Sequence, residues 1–392
     1  MSSHAAAQWQ HTNGLNGERV NALSVKGTYL FAGTRDSGVF RSGDNGMSWL
    51  AVNTGLTNLT IRALAIKGIY LFAGTQDSGV FRSGDNGASW LAVNTGISST
   101  NIQALAANDT FLFAGTSGGG VCRSSDYGMQ WLAVNKLEDG TDLHFLNIYS
   151  FAVTHTYLFI GTWGGSAFRS ADNGTIWYMV TNGMADPREN QIPYSFAVGD
   201  TFIFAGMGGG GVLRAKDSAR VWFPVNVGLP DSAFVTALAL SNDTLFAATQ
   251  KGVFRSIDDG DNWLADNNGL TDTLIFSFAK SETNLFAGTN NGVWRLPMFE
   301  PPVKAEPIVG AGSGTRSIKL VCSSPSIINY SMGSAQKGNI SVYASSGKRL
   351  FSKEVCGEGK VAWNSLHRSS GIYIARLQVG AMLSTITMVL PE

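Results

Sequence analysis

Two short segments gather the residues best suited to acid–base work or ligand binding. Asn135 to Ile148 carries Asp139, Asp142 and His144, and Thr181 to Ile192 carries Asp186, Arg188 and Glu189. Two carboxyl groups across a cleft hydrolyse a glycosidic bond, with retention at about 5 Å and inversion at roughly 6.5–9.5 Å. Asp139, Asp142, Asp186 and Glu189 are the candidates for such a pair. An aromatic face, by contrast, holds a sugar ring by stacking and leaves its bonds intact. Trp163, alone in Thr162-Trp163-Gly-Gly165, suits that role. No H-E-x-x-H, G-x-S-x-G or paired C-x-x-C occurs, and the five histidines are scattered, so zinc-peptidase and nucleophile-elbow chemistry are excluded. Asp258-Asp-Gly-Asp261 lacks the ligand spacing and closing glutamate of a calcium loop. No metal and no cofactor is expected.

The elements that hold these residues form a repeat. Phe-Ala-Gly-Thr or a close variant starts at Phe31, Phe72, Phe113, Phe159, Phe204, Phe246 and Phe286, with spacings of 41, 41, 46, 45, 42 and 40. A strand-rich period near ~40–45 residues is that of a propeller blade. In the second unit, Ile61 to Ile66, Tyr70 to Thr75, Gly79 to Arg82 and Trp90 to Val93 read as four short strands separated by turn residues. No sustained 3.6-residue apolar period appears, so helix content is expected to be very low. The fold class expected is all-β: a seven-bladed β-propeller followed by an immunoglobulin-like β-sandwich. The two longer spacings come from the two reactive segments, which join blades three to four and four to five. Gly-rich loops beside them, Thr116 to Gly120, Thr162 to Gly165 and Met207 to Gly211, are expected to leave room for a ligand. Alternation along the innermost strands aims Asn21, Arg62, Gln103, Tyr149, Tyr194, Thr236 and Phe276 at the central channel. The candidate binding residues are therefore Trp163, Tyr149, Tyr194, His144, Arg188, Arg62 and Gln103. The opposing expectation is that the loops are solvated insertions and the tyrosines only fill the channel. Unit seven ends at Val293-Trp-Arg-Leu296 without an outer strand, and Trp9 to Leu15 resembles the missing piece, so the first strand is expected to close the last blade.

A second motif recurs between the third and fourth strands: Ser42-Gly-Asp44-Asn-Gly46-Met-Ser-Trp49, with copies ending at Trp90, Trp131, Trp177 and Trp263 and a worn copy from Asp217 to Trp222. This S-x-D-x-G-x-x-W pattern resembles the Asp-box, or BNR repeat, of sialidase-like and sortilin-like β-propellers. That family includes enzymes, lectins, receptors and assembly factors, so the resemblance implies fold and leaves activity open. It also implies a scaffold role for the box, on the face opposite the usual active site. Ser and Asp side chains lock the turn, Gly supplies positive φ, and Trp packs between blades. The arginine before each box (Arg41, Arg82, Arg123, Arg169, Arg214, Arg255 and Arg295) recurs in every unit and reads as scaffold too. A sialidase is disfavoured, with no Arg-Ile-Pro element and no arginine triad outside that repeat position. Xyloglucanases of this type place two propellers around a long cleft, and this chain has one.

Pro297, Pro301, Pro302, Pro307 and Gly310-Ala-Gly-Ser-Gly mark a linker. The last fifth of the chain is similar to the C-terminal sorting domain of type IX secretion. The matching residues are Ser326-Ile-Ile-Asn-Tyr-Ser331, Gly338-Asn-Ile-Ser-Val-Tyr343 with Gly347, Val361-Ala-Trp363-Asn364, Ser370-Gly-Ile-Tyr373-Ile-Ala-Arg376 and Met388-Val-Leu390. The ending Leu-Pro391-Glu392 departs from the basic residue common there. The resemblance implies the type IX secretion machinery as a partner. It also implies a secreted or cell-surface location, on the exterior of a Gram-negative outer membrane. The domains expected are 1–7, a signal-peptide remnant with Ala5 to Ala7 as its A-x-A end; 8–297, the propeller; 298–316, the linker; and 317–392, the sandwich.

Lys+Arg and Asp+Glu are both 28, giving zero net charge, which argues against nucleic acid or an anionic membrane as partner. No apolar run approaches the ~18 residues of a membrane span. Three cysteines make no framework: Cys122 takes a slot held elsewhere by Phe40, Phe81 and Phe168 and reads as a buried thiol, while Cys322 and Cys356 can pair in an oxidising compartment. A neutral single ring gives no oligomer signal. A secreted or surface binding propeller for carbohydrate is the reading favoured, with extracellular protein as a variant ligand. The alternative is a glycoside hydrolase built on the carboxylates.

Overall fold

The computed structural model describes residues 8–164, 166–184, 192–216, 218–241, 244–298, 319–324, 327–331, 337–344, 349–362, 371–379 and 382–390. Asp186, Arg188 and Glu189, with Asp217, Ser326, Gly347, Trp363, Asn364 and Ser370, lie outside the described residues. All regular structure among those described is β. The chain divides into two compact units, Ala7–Met298 and one holding the residues from Phe299 on.

The larger unit is a β-propeller. It contains seven four-stranded antiparallel sheets among the described residues. The second sheet is representative, running Ile61–Lys67, Tyr70–Thr75, Val80–Ser83 and Leu91–Ala92 from innermost to outermost. Innermost strands of successive sheets contact one another, and Ile275–Lys280 returns to Val20–Lys26 to complete a ring. The seventh sheet is made from both ends of the unit: Gln10–His11 pairs with Gly292–Pro297, Gln10 opposite Arg295. Trp9 is buried and its indole N–H donates to the Asp266 carbonyl at 2.8 Å. The second strands fill the core between sheets; the phenylalanine of each repeated Phe-Ala-Gly-Thr or its variant, from Phe31 to Phe286, is at most 2% exposed.

The repeated octapeptide is a hydrogen-bonded turn. Ser42 Oγ donates to Asp44 Oδ1 at 2.7 Å and accepts from Gly46 N–H at 2.8 Å, while Asp44 Oδ1 accepts from Ser48 N–H at 2.9 Å. The same bonds recur at Ser83, Ser124, Ser170 and Ser256. The residue before each glycine is also left-handed, at φ 57–59° for Asn45, Asn86, Tyr127, Asn173 and Asp259, a conformation Asn and Asp tolerate best. Five of the following tryptophans reach back one sheet: the indoles of Trp90, Trp131, Trp177, Trp222 and Trp263 donate to Val52, Val93, Val134, Val180 and Val225 carbonyls, whereas the Trp49 indole N–H has no partner. Each arginine reaches forward. Arg41, Arg82, Arg123, Arg169 and Arg214 stack on the aromatic that begins the second strand and donate to a carbonyl in the next sheet's turn. Arg255 faces the closing sheet, which has no such turn, and pairs with Asp266 instead at 3.7 Å.

A latch unannounced by the sequence fixes the third strand. In five sheets an asparagine after the outer strand accepts from the N–H of a valine at the start of the third strand and donates back across a glycine. Asn94 accepts from Val80 N–H at 2.7 Å and donates to the Ser78 carbonyl at 3.0 Å. Asn53, Asn135, Asn226 and Asn267 repeat it.

The C-terminal unit has two antiparallel sheets. Lys319–Ser324, Ile327–Ser331 and Glu358–Ala362 form one; Arg349–Cys356, Lys337–Ala344, Gly371–Val379 and Met382–Leu390 form the other. Ile328 and Val361 of the first pack with Ile340, Val342, Val355, Ala375 and Leu377 of the second in one core. Cys122 is buried beside the Ser98 hydroxyl, and Cys356 is exposed with a free thiol.

Candidate ligand-binding site at the channel mouth

Every innermost strand carries the same irregularity near its start. The register slips between Val20 and Ala22, Ile61 and Ala63, Ile102 and Ala104, Ile148 and Ser150, Pro193 and Ser195, Val235 and Ala237, and Ile275 and Ser277. The skipped residues are Asn21, Arg62, Gln103, Tyr149, Tyr194, Thr236 and Phe276, the seven that alternation assigns to the channel. A bulge frees one residue from the ladder and re-aims its side chain. The ring thus presents seven unpaired positions that share a backbone and differ in chemistry.

In blades four and five these positions are aromatic, and Trp163 and Phe234 extend the group on either side. Tyr149 lies 6.2 Å from the Trp163 ring and 5.5 Å edge-on from Tyr194, which lies 5.0 Å from Phe234. Trp163 is 46% exposed and Phe234 38%. Burial pushes both tyrosine hydroxyls above their ordinary pKa; Arg62 draws Tyr149 back, and Tyr149 pushes Tyr194 further up. Phe234 escapes sequence reading because it stands just before the inner strand, a position also held by Arg19, Thr60 and Asn101. Aligning that position across the repeats exposes it.

Around blades one to three the mouth is polar. Arg19, Asn21, Arg35, Thr60, Arg62, Gln76, Gln103 and Phe276 line a cavity of about 360 Å³. Arg62 donates to Gln103 at 2.9 Å and Gln76 at 3.0 Å, and Arg19 donates to Asn21 at 3.1 Å while lying 3.9 Å over the Phe276 ring. The expectation of no arginine cluster outside the repeat position is therefore corrected. Arg19 and Arg35 face each other across the first hairpin of blade one, the Arg35 N–H donating to the Arg19 carbonyl at 2.9 Å, and Arg62 joins them from the inner strand of blade two.

The two reactive segments fare differently. Leu137 and Leu143 are buried, anchoring the first segment. Asp142 pairs with Lys136 at 3.1 Å. Asp139 accepts from Thr141 N–H at 2.9 Å and its hydroxyl at 2.6 Å, bonds that hold its carboxyl below the usual range. A general acid needs the opposite shift. His144 is exposed. The structure brings none of these three into the aromatic or arginine groups, whereas Trp163, Tyr149, Tyr194, Arg62 and Gln103 do fall there. Asp186, Arg188 and Glu189 lie outside the described residues. Among those described, Asp266 alone has a carboxyl shifted upward, by burial against the pull of Arg255, and it sits after an outer strand. No group of three His, Cys, Asp or Glu able to hold a metal occurs among the described residues. The Gly-rich floors are also fuller than expected. A Cβ on Gly164 would meet the Phe145 ring at 2.8 Å and one on Gly208 the Tyr194 ring at 2.7 Å, whereas Gly118 and Gly209 face open space. Glycine there serves close packing as much as access.

Neither a protein-family model nor a curated protein matches the chain in sequence. Solved structures do. PorZ, an essential surface component of the type IX secretion system of Porphyromonas gingivalis, is similar with a TM-score of 0.61 at 14% identity, over 97% of this chain and 60% of that one. YCF48 bound to D1 peptide gives 0.59 at 13%, over 78% and 99%. The GH74 xyloglucanase of Xanthomonas campestris gives 0.56 at 18%, over 84% and 60%. At such identities the likeness establishes the β-propeller. The chain spans only 60% of PorZ and of the xyloglucanase. No helix among the described residues is long and apolar enough to cross a membrane.

Proposed function

We propose that the chain is a secreted or cell-surface binding propeller that recognises carbohydrate at the channel mouth. On this reading the seven sheets are Asp-box blades, and the C-terminal unit is an immunoglobulin-like sorting domain for type IX export. The aromatic ridge carries the reading. Trp163, Tyr149, Tyr194 and Phe234 form a continuous run of rings at one end of the channel, with Trp163 and Phe234 open to solvent. Ring faces held by their neighbours stack on sugars at small entropic cost. The likenesses to PorZ and to a xyloglucanase support a surface or carbohydrate-related role. Binding is favoured over hydrolysis because Asp139 and Asp142 are committed to their own loop.

The test uses the intact chain and a panel of plant, algal and host polysaccharides, reading gel retardation and reducing-end release together. Retardation without release, lost in Trp163→Ala, is the expected result. Release from any polysaccharide makes the protein a hydrolase. Neither effect transfers the ridge to a protein ligand, an alternative supported by the likeness to peptide-bound YCF48.

A further inference from the structure

The mouth has two chemically distinct halves, and the cationic one exceeds what a neutral sugar requires. Arg19, Arg35 and Arg62 line a single cavity, and none has a carboxylate at ion-pair distance among the described residues. Two acids are sequence neighbours of the arginines: Glu18, beside Arg19, is engaged by the Ser37 hydroxyl at 2.8 Å, and Asp36, beside Arg35, makes no ion pair among the described residues. The Arg62 Nε is buried with no hydrogen-bond partner, a cost that a bound acceptor removes. Burial, then Arg35 and Arg62, lower the Arg19 guanidinium's proton affinity, and Asp36 opposes them only in part. Like charges held together repel unless an anion joins them. The side chains are also fixed in advance: Gln76 and Gln103 hold Arg62, and Asn21 and Phe276 hold Arg19. A planar guanidinium held at the back of a pocket presents paired donors to two oxygens of one anionic group. The two halves adjoin: the inner strand Ile102–Ala107, which carries Gln103, contacts Ile148–Val153, which carries Tyr149.

Resting on the carbohydrate reading above, we propose that the site takes an anionic glycan, with sugar rings along the Trp163–Tyr149–Tyr194–Phe234 ridge and a carboxylate or sulfate substituent in the arginine pocket. The shared chemistry is an anionic oxygen group one or two sugars from the stacked ring. Both halves are then used by a single chain of sugars.

The experiment titrates the full chain calorimetrically with four probes: oligogalacturonate, its carboxyl-reduced counterpart, a sulfated galactan oligosaccharide and its desulfated form. The charged form of at least one pair is expected to bind about 10-fold tighter or more, a difference of ~1.4 kcal/mol. That advantage should shrink between about 50 and about 500 mM salt as screening sets in. Arg62→Gln and Arg35→Gln should each abolish it. Arg35 is exposed, so Arg35→Gln serves as the variant whose folding is not at issue, checked by an unchanged melting temperature. Preference confined to one pair identifies the substituent as carboxylate or sulfate. Equal binding of charged and neutral forms, indifferent to Arg35→Gln, overturns the anion inference and leaves the carbohydrate reading standing. No binding of any probe, or retention of an acidic peptide instead, overturns both.

Discussion

Replacing Gly79 by alanine tests the asparagine latch, and its cost can be worked from the structure. Gly79 has φ +76°, a conformation that costs an L-residue about 1–2 kcal/mol. The new Cβ would lie 2.2 Å from Asn94 Oδ1 and 2.5 Å from its Cγ, so Asn94 must leave. With it go the bonds from Val80 N–H at 2.7 Å and to the Ser78 carbonyl at 3.0 Å, worth about 1 kcal/mol each. The sum is about 3–4 kcal/mol, enough to lower the melting temperature of a domain this size by roughly 6–16 °C. Asn94→Ala forfeits the bonds without the backbone strain and should cost about 2 kcal/mol. Because both variants lose one latch, the double variant should cost hardly more than Gly79→Ala alone. Denaturant titration of the three variants against the parent gives the cycle. A Gly79→Ala cost below about 1 kcal/mol, or strictly additive singles, would refute the latch.

Other expectations follow from the same contacts. Trp163→Ala should weaken glycan binding at least ~10-fold with no loss of thermal stability, since its ring is half exposed; a fall in both marks Trp163 as structural. Trp9→Ala should cost about 3–5 kcal/mol as a buried tryptophan is lost, measured by denaturant titration; an unchanged midpoint would mean the first strand is dispensable to the ring. Hydrogen bonds depress Asp44 and Asp85 to about 2. Stability from a lowered carboxyl is complete above its unfolded value near ~4 and lost as pH falls through the folded value. The propeller should therefore weaken between about pH 4 and pH 2, and Asp85→Asn should flatten that slope in acid titrations. Asp266 stands where five other sheets place valine, paired to a half-exposed Arg255. Replacing a partly buried ion pair by an apolar side chain is often neutral or gains ~1 kcal/mol, so Asp266→Val should raise the melting temperature or leave it. A marked fall would show that Arg255 needs its partner to seal the last sheet.

The repeat was legible because it is written in residues whose roles are local. Ser42, Asp44 and Gly46 make their turn within five residues, and the counterparts of Phe31 are buried in every unit, as are those of Trp90 in every unit but the first, where Trp49 is half-buried. Alternation identified the channel-facing set from Asn21 to Phe276, yet it could not reveal that each of these residues is a bulge, since a bulge depends on the register of a partner strand. The asparagine latch was likewise silent: Asn94 and Val80 are 14 residues apart, and nothing in either residue type marks the bond. The site was read in part. Trp163, Tyr149 and Tyr194 stood out as departures from the repeat, whereas Arg19, Arg35 and Phe234 occupy positions that look unremarkable in any one unit, and their partners Arg62 and Tyr194 lie in neighbouring blades. Asp139 and Asp142 misled because their composition suits catalysis, while their bonds to Thr141 and Lys136 commit them to their loop.

The sheet built from both ends of the propeller also sets the order of events as the molecule folds. Each of the other six sheets is a run of hairpins, closing as soon as its own forty-odd residues are available. Gln10 and Arg295 are 285 residues apart, and bringing such ends together costs about 5 kcal/mol of chain entropy before any contact rewards it. The propeller's first strand is therefore its last to find a place. A nascent chain holds an open arc with an unpaired edge until residue 295 emerges, and only then does folding become a single commitment. Contacts of this separation slow the search for the native state, so the unclosed arc is the form most exposed to proteases and to pairing with another chain.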